Sequence, residues 1–240
     1  MTKRRINKLK LVFTATLFGL FTVLLYQFGL FVMVLWLSVK NPSTTAFMDA
    51  ARTRLHAVDP NAELDFEWVP YAQISTHLKR AVIASEDANF LQHNGVEWDA
   101  IRQAWEYNRR QSTKGSTRRR GGSTITQQLA KNLFLSGSRS YWRKAQELAL
   151  AYMIELVMPK QRILELYLNV AQWGEYTFGA QRAARKYFNV DAAKLGPAQA
   201  ARLAVMLPNP AYYEKNRNTR YLQSRTNTIQ QRMRLVAAPE

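Results

Sequence analysis

Twenty-nine consecutive residues without a charge, Leu11 to Val39 between Lys10 and Lys40, constrain this chain more than any other feature. About 20 apolar residues suffice to cross a bilayer as a helix. Leu, Phe, Val and Met dominate the run, and Trp36 stands near its far end, where an interfacial aromatic is expected. A cleaved secretory leader has an apolar stretch of about 7–15 residues and a small-residue cleavage site. This run is longer, and Phe, Leu and Trp occupy its end. Residues 11–39 therefore read as an uncleaved transmembrane anchor. Lys3, Arg4, Arg5, Lys8 and Lys10 precede it with no acid among them. Positive flanks stay cytoplasmic, so residues 1–10 read as a basic cytoplasmic tail and everything after the span is expected outside the inner membrane.

The remainder of the 240 residues, beyond the anchor, is long enough for one domain at roughly 150 residues per domain. The chain has no cysteine, which removes disulfides, thiolate nucleophiles, iron–sulfur clusters and Cys-based zinc sites. His56, His77 and His93 are too scattered for a His-rich metal site. Asn41-Pro42-Ser43-Thr44-Thr45 reads as an exit loop, and residues 40–70, broken by Pro60 and Pro70, as an exit linker and membrane-proximal segment. From residue 71 to 240 the pattern is helical, with apolar residues three and four apart, as in Ile163, Leu166, Tyr167 and Val170. No run alternates convincingly as a strand, and Gly121-Gly122 and Ser136-Gly137 mark loops. The fold class expected is mostly α.

Charge is placed unevenly. The net charge is +17, and residues 41–240 carry +11 of it. Between Glu106 and Glu147 there is no acid but ten bases: Arg109, Arg110, Lys114, Arg118, Arg119, Arg120, Lys131, Arg139, Arg143 and Lys144. For any one of these a solvated basic face is the ordinary reading. Ten together call for phosphate, whether of nucleic acid, lipid headgroups or a diphosphate.

Three stretches carry candidate chemistry. Glu86-Asp87 ends the apolar helical run Arg80–Ser85, where desolvation would favour a protonated Glu86 and suit it to acid/base work; a helix-end ion pair or cap is the alternative. Glu147 follows Arg143 by four positions and Lys144 by three, so the three share one helix face where a basic surface meets an apolar helix; an intrahelical ion pair is the alternative. Gly121-Gly122-Ser123-Thr124-Ile125-Thr126-Gln127-Gln128 joins flexible backbone to hydroxyls and amides after three arginines. It suits a phosphate cradle at a helix start or a mobile linker, and it lacks the spacing of a P-loop.

Together these elements resemble a family. Glu86-Asp87-x-x-Phe90-x-x-His93-x-Gly95 is similar to the first motif of the peptidoglycan glycosyltransferases, glycosyltransferase family 51. Gly121 to Asn132 resembles the second motif, and Arg143-Lys144-x-x-Glu147 the third. Ile163-Leu164-Glu165-x-Tyr167-Leu168-Asn169, with Gly174, Gly179, Ala183, Ala184, Tyr187 and Phe188, resembles the fourth; Leu203-Ala204-x-x-Leu207-Pro208-x-Pro210 resembles the fifth. The match runs in order over roughly residues 70–215. Gln92 departs from it where an acid often precedes the histidine, and Tyr212-Tyr213-Glu214-Lys215 lacks the Asn-Pro ending often seen there. No Ser-x-x-Lys or Lys-Thr-Gly motif of a transpeptidase occurs, so the likeness is to monofunctional, membrane-anchored members.

The resemblance implies a lysozyme-like helical catalytic domain with a small membrane-proximal lobe, residues 71–240 forming the glycosyltransferase domain. It implies polymerisation of lipid II into β-1,4 glycan by inverting transfer, with undecaprenyl diphosphate leaving. Glu86 then matches the base and Glu147 the second acid, which assists the leaving group, positions a cation or orients its basic neighbours. Lys131, Arg143 and Lys144 are expected at the diphosphate, and Ser123, Thr124, Gln127 and Gln128 at the sugar and diphosphate. Asp87 is expected to orient helix and loop, and His93, Glu165 and Asn169 to be structural. No tightly bound cofactor and no dedicated metal site are expected; a divalent cation is expected to stimulate, if at all, with the diphosphate. The partners expected are lipid II, the growing glycan and the inner membrane, with other cell-wall synthesis and division proteins as candidates and no nucleic acid. Two rival readings are a lytic enzyme on a similar helical scaffold and a non-enzymatic binder of anionic lipid or polymer.

Overall fold

The computed structural model describes residues 2–116, 121–135, 137 and 140–240. Arg118, Arg119, Arg120 and Arg139 of the basic segment, and Ser136 of the expected loop, lie outside the described residues. The chain forms two units, one ending at Lys40 and the other Asn41–Glu240.

The first unit is helix α1 (Thr2–Val39), of which Lys10–Val39 is long and apolar enough to cross a membrane. This single N-terminal helix fits a single-pass anchor. Thr16 and Thr22, polar side chains within the run, donate their hydroxyls to the carbonyls of Val12 and Phe18 at 2.8 and 2.9 Å, so neither needs a solvent partner.

The second unit starts before residue 71. Helix α2 (Ala46–His56) begins at Thr45, whose hydroxyl accepts the Met48 N–H at 3.2 Å. Met48 and Ala51 are buried, and α2 packs on α5 (Ile125–Phe134). Strand β1 (Asp65–Phe66) pairs in parallel with β2 (Thr177–Phe178). Two residues per strand are too few to show as alternation, which is why no strand is legible in the sequence. Residues 41–70 are thus built into the same compact unit as the motifs.

The rest is helical, as expected: α3 (Thr76–Glu86), α4 (Trp98–Thr113), α6 (Tyr141–Val157), α7 (Lys160–Val170), α8 (Ala180–Phe188), α9 (Pro197–Met206), α10 (Pro210–Lys215) and α11 (Arg220–Arg232). Helix α9 packs against both α3 and α11, and α5 against both α6 and α7. Leu78, Ala81 and Val82 of α3, Ala200, Leu203 and Ala204 of α9, and Leu222 and Ile229 of α11 are fully buried. Each large side chain so placed contributes about 1.5–3 kcal/mol. Trp173 is also fully buried, and its indole N–H donates to the Leu203 carbonyl at 3.1 Å.

Several motif residues hold elements together. The Asn169 amide accepts the Val69 N–H and donates to the Val69 carbonyl, both at 2.9 Å. Glu165 accepts the Tyr71 N–H at 2.9 Å and pairs with Arg162 at 2.7 Å. Gly179 has φ +81°, and a Cβ there would stand 2.8 Å from the Asn169 carbonyl oxygen, so both conformation and space demand glycine. In the departing stretch 212–215, Glu214 accepts the Glu175 N–H at 2.5 Å and pairs with Lys186, tying α10 to the loop before β2.

Candidate active site

Glu86 is where α3 stops. Ser75 caps the start of α3 by accepting the His77 N–H at 3.2 Å. At the other end Asp87 leaves helical geometry (φ −161°, ψ 75°) while its N–H still reaches the Ile83 carbonyl. The turn sends the two neighbouring carboxylates to different tasks. Asp87 is buried: it accepts the Ile125 N–H at 2.9 Å, at the start of α5, and the His93 ring N–H at 2.9 and 3.0 Å. A carboxylate at a helix N-terminus is favoured by the helix dipole. Glu86 faces a cavity of about 650 Å³. Its carboxylate accepts from Gln128 Nε2 at 3.0 Å and from the Ser85 hydroxyl at 3.3 Å. Burial raises its pKa above the usual carboxylate value; the bonds from Gln128 and Ser85 and the charge of Arg225 oppose that rise, and Asp87 adds to it.

Asp87, His93 and Glu97 lie close enough together to suggest a metal site. Gly95 N–H donates to His93 Nδ1 at 3.1 Å, so the ring proton sits on Nε2 and points at Asp87. Both imidazole nitrogens are therefore spent. Glu97 accepts from the Asn89 amide at 2.6 Å. The group is a hydrogen-bonded brace for the 87–97 loop.

Helix α5 carries the second motif. Thr124 and Gln127 form a capping box: Thr124 Oγ1 accepts the Gln127 N–H at 3.2 Å, and Gln127 Oε1 accepts the Thr124 N–H at 2.9 Å. Thr124 also donates to the Gly95 carbonyl at 2.5 Å. The helix start expected as a phosphate cradle thus already gives three of its N–H groups to Asp87, Thr124 and Gln127. Gln127 is fully buried and is not among the residues lining the cavity, whereas Ser123, Thr124 and Gln128 are.

Helix α6, capped by Ser140, carries the third motif on one face. Glu147 is buried, with Arg143 on one carboxylate oxygen at 2.7 Å and Lys144 on the other at 2.5 Å. Lys144 Nζ also donates to Ser123 at 3.0 Å, and Ser123 lines the Glu86 cavity. The two acidic centres are joined through that serine. Lys131, on α5, lies in the field of both: burial lowers its pKa first, the charges of Glu147 and Glu86 raise it, and Arg143 and Lys144 lower it. Arg143 Nε is buried with no acceptor among the described residues. Glu86, Lys131, Arg143, Lys144, Glu147, Ser123, Thr124 and Gln128 are therefore brought to one region, with Gln127 behind them as scaffold.

Residues 52–234 match the family model described as "Transglycosylase". The chain belongs to the transglycosylase family. It is a glycosyltransferase enzyme, and the helical domain of this family is lysozyme-like. The chain is 60% identical to the biosynthetic peptidoglycan transglycosylase of Bordetella pertussis, over 99% of this chain and 98% of that one. Proteins of the same description from Laribacter hongkongensis and Janthinobacterium sp. (strain Marseille) are 52% and 51% identical. Those matches cover 94% and 96% of this chain, and 96% and 98% of theirs.

The transglycosylase match runs past the last motif into α11, where the sequence motifs place no site residue. Tyr221, Arg225 and Arg232 of α11 line the Glu86 cavity, and no carboxylate among the described residues pairs with Arg225 or Arg232. A signal was available: spacings of four and seven put all three on one helix face. Phe47 of α2 is a second residue that the motifs miss; its ring centroid stands 5.3 Å from Lys131 Nζ, a cation–π distance.

Proposed function

We propose that this chain, a peptidoglycan glycosyltransferase of cell-wall synthesis, polymerises lipid II into linear β-1,4 glycan by a single inverting displacement. One observation carries the reading. A carboxylate whose pKa burial raises shares a cleft, through Ser123, with Lys144, which together with Arg143 pairs a second acid, and Lys131 lies in the field of both acids.

In this mechanism Glu86 takes the proton of the acceptor sugar's 4-hydroxyl as its oxygen attacks the donor's anomeric carbon. The C–O bond to the diphosphate breaks from the opposite side, and the released diphosphate carries the electron pair. Base assistance of this kind contributes about 10²–10⁴ in rate. Lys131, Arg143 and Lys144 stabilise the leaving charge; the acceptor-less Arg143 Nε supplies a donor that an anionic oxygen satisfies. Glu147 accepts from both Arg143 and Lys144, so its role here is to aim those cations. Ser123 and Gln128 meet the sugars and diphosphate, with Thr124 and Gln127 supporting them through the cap. No tightly bound cofactor enters the scheme, and a divalent cation arriving with the diphosphate would add charge neutralisation there. The anchor sits in the inner membrane with its N-terminus cytoplasmic and the catalytic unit periplasmic, where other cell-wall synthesis and division proteins are its expected neighbours.

The test is polymerisation of purified lipid II in detergent, with a muramidase digest to confirm the product. Wild type is expected to make glycan, and Glu86→Gln to lose about 10²–10⁴ of kcat while still binding lipid II. Glu147→Gln is expected to lose both rate and affinity, because its cations are released. A Glu86→Gln enzyme as active as wild type refutes the base assignment. Cleavage of preformed glycan without synthesis would turn the reading to a lytic enzyme.

A further inference from the structure

Tyr167 lies in the apolar stripe of α7 and is 1% exposed, yet its hydroxyl finds a hydrogen-bond acceptor. It donates to Gln128 Oε1 at 2.9 Å, and Gln128 Nε2 donates to Glu86 Oε2 at 3.0 Å. Three side chains from α7, α5 and α3 thus form one chain of hydrogen bonds ending on the carboxylate. We propose that Tyr167 is a positioning residue for the reaction, acting through Gln128 to hold Glu86 oriented and ready to ionise.

What matters is which way the amide points. A primary amide presents a carbonyl at one end and an NH2 at the other, and turning it over exchanges them. With its NH2 toward Glu86, the amide supports the charged carboxylate; with its carbonyl there, it supports only the protonated acid. A buried phenol is a better donor than acceptor, so Tyr167 prefers the carbonyl end and thereby directs the NH2 to Glu86. Burial and the charges of Glu86 and Asp87 push the Tyr167 pKa well above 10, which keeps its proton in place while Glu86 cycles. The other titratable and polar groups around Glu86 are Ser85 and Asp87 beside it, Lys131 from α5, Tyr221, Arg225 and Arg232 from α11, and Glu97 at the cavity wall. None of them bonds the amide oxygen. Hydrogen bonds in such a buried series reinforce one another.

The inference rests on Glu86 being the base, and its test separates the two. Full-length enzyme is assayed on lipid II across pH as wild type, Tyr167→Phe, Gln128→Ala, the double variant and Glu86→Gln. Tyr167→Phe removes one oxygen and no ring volume, and a melting curve confirms that it is folded. The expected result is an acidic limb of the kcat profile displaced to higher pH, with kcat on that limb down about 3- to 10-fold and KM nearly unchanged. In the Gln128→Ala background the same substitution is expected to add nothing, because the relay is already cut. A limb that stays in place in Tyr167→Phe, or moves equally with and without Gln128, overturns the relay while an inactive Glu86→Gln leaves the base assignment standing. An active Glu86→Gln overturns both.

Discussion

Glu86 is held where its charge is costly. Burial raises its pKa, so the folded protein keeps a proton that the unfolded chain has released once pH exceeds about the ordinary value of 4.5. Over the window from that value up to the raised folded one, the native state binds more protons and stability falls as pH rises. Above the window the penalty is complete, and below it there is none. Glu86→Gln removes the group that titrates. The variant is expected to melt together with wild type near pH 4 and above it at pH 8. Differential scanning of both proteins across pH checks it; a gap that is constant with pH would show that amide packing, and not charge burial, separates them. At this scale the sequence displayed the candidate groups that the structure gathers, because Glu86, Lys131, Arg143, Lys144 and Glu147 sit inside contiguous motifs. It hid their supports. Tyr167 meets Gln128 across 39 positions and Phe47 meets Lys131 across 84, and helical periodicity records only neighbours within a turn or two.

Elements carry the next level of control, and the start of α5 is the clearest case. Read as sequence, Thr124 and Gln127 belong to substrate, because hydroxyls and amides after glycines suit phosphate. The structure shows the Thr124 hydroxyl and the Gln127 amide oxygen turned on the backbone, where four unsatisfied N–H groups per helix start create that demand. The cap also fixes Ser123, the residue before it, and so the point at which Lys144 touches the Glu86 cavity. Thr124→Ala deletes the cap acceptor together with the bond to Gly95. It is expected to cost about 1–2 kcal/mol of stability in urea unfolding. Because Ser123 shifts, kcat/KM for lipid II is expected to fall as well. Thr124→Ser keeps the oxygen and should recover most of both. Loss of activity in Thr124→Ala at unchanged stability would mean that the hydroxyl meets substrate directly after all. The longer helices from α3 onward were legible because their apolar stripes show, whereas α2, inside the stretch read as a linker, was not; nor were β1 and β2, since two residues per strand carry no pattern of their own and their partners stand 112 positions apart.

For the whole molecule the question is what each unit contributes. Asn41–Glu240 has its own core, built from α2 through α11, and holds every residue assigned to the reaction. The first unit supplies only a helix fit to cross a membrane. A substrate carrying a long prenyl chain stays in the bilayer, so an enzyme tethered there searches in two dimensions. The remaining unit is itself basic, at +11, and anionic headgroups attract such a surface at about 1 kcal/mol per basic residue near it, until salt screens the attraction. Chemistry and delivery should therefore separate on deletion of residues 1–40. The 41–240 fragment is expected to melt cooperatively and to polymerise a water-soluble, short-chain lipid II analogue at a rate near that of the full chain. On undecaprenyl lipid II in neutral vesicles it should fall at least about tenfold behind. Anionic lipid should restore part of that loss, and about 0.5 M salt should remove the restoration, since the screening length there is well under about 10 Å. A fragment that fails even on the soluble analogue, while still folded, would instead place α1 in the catalytic machinery.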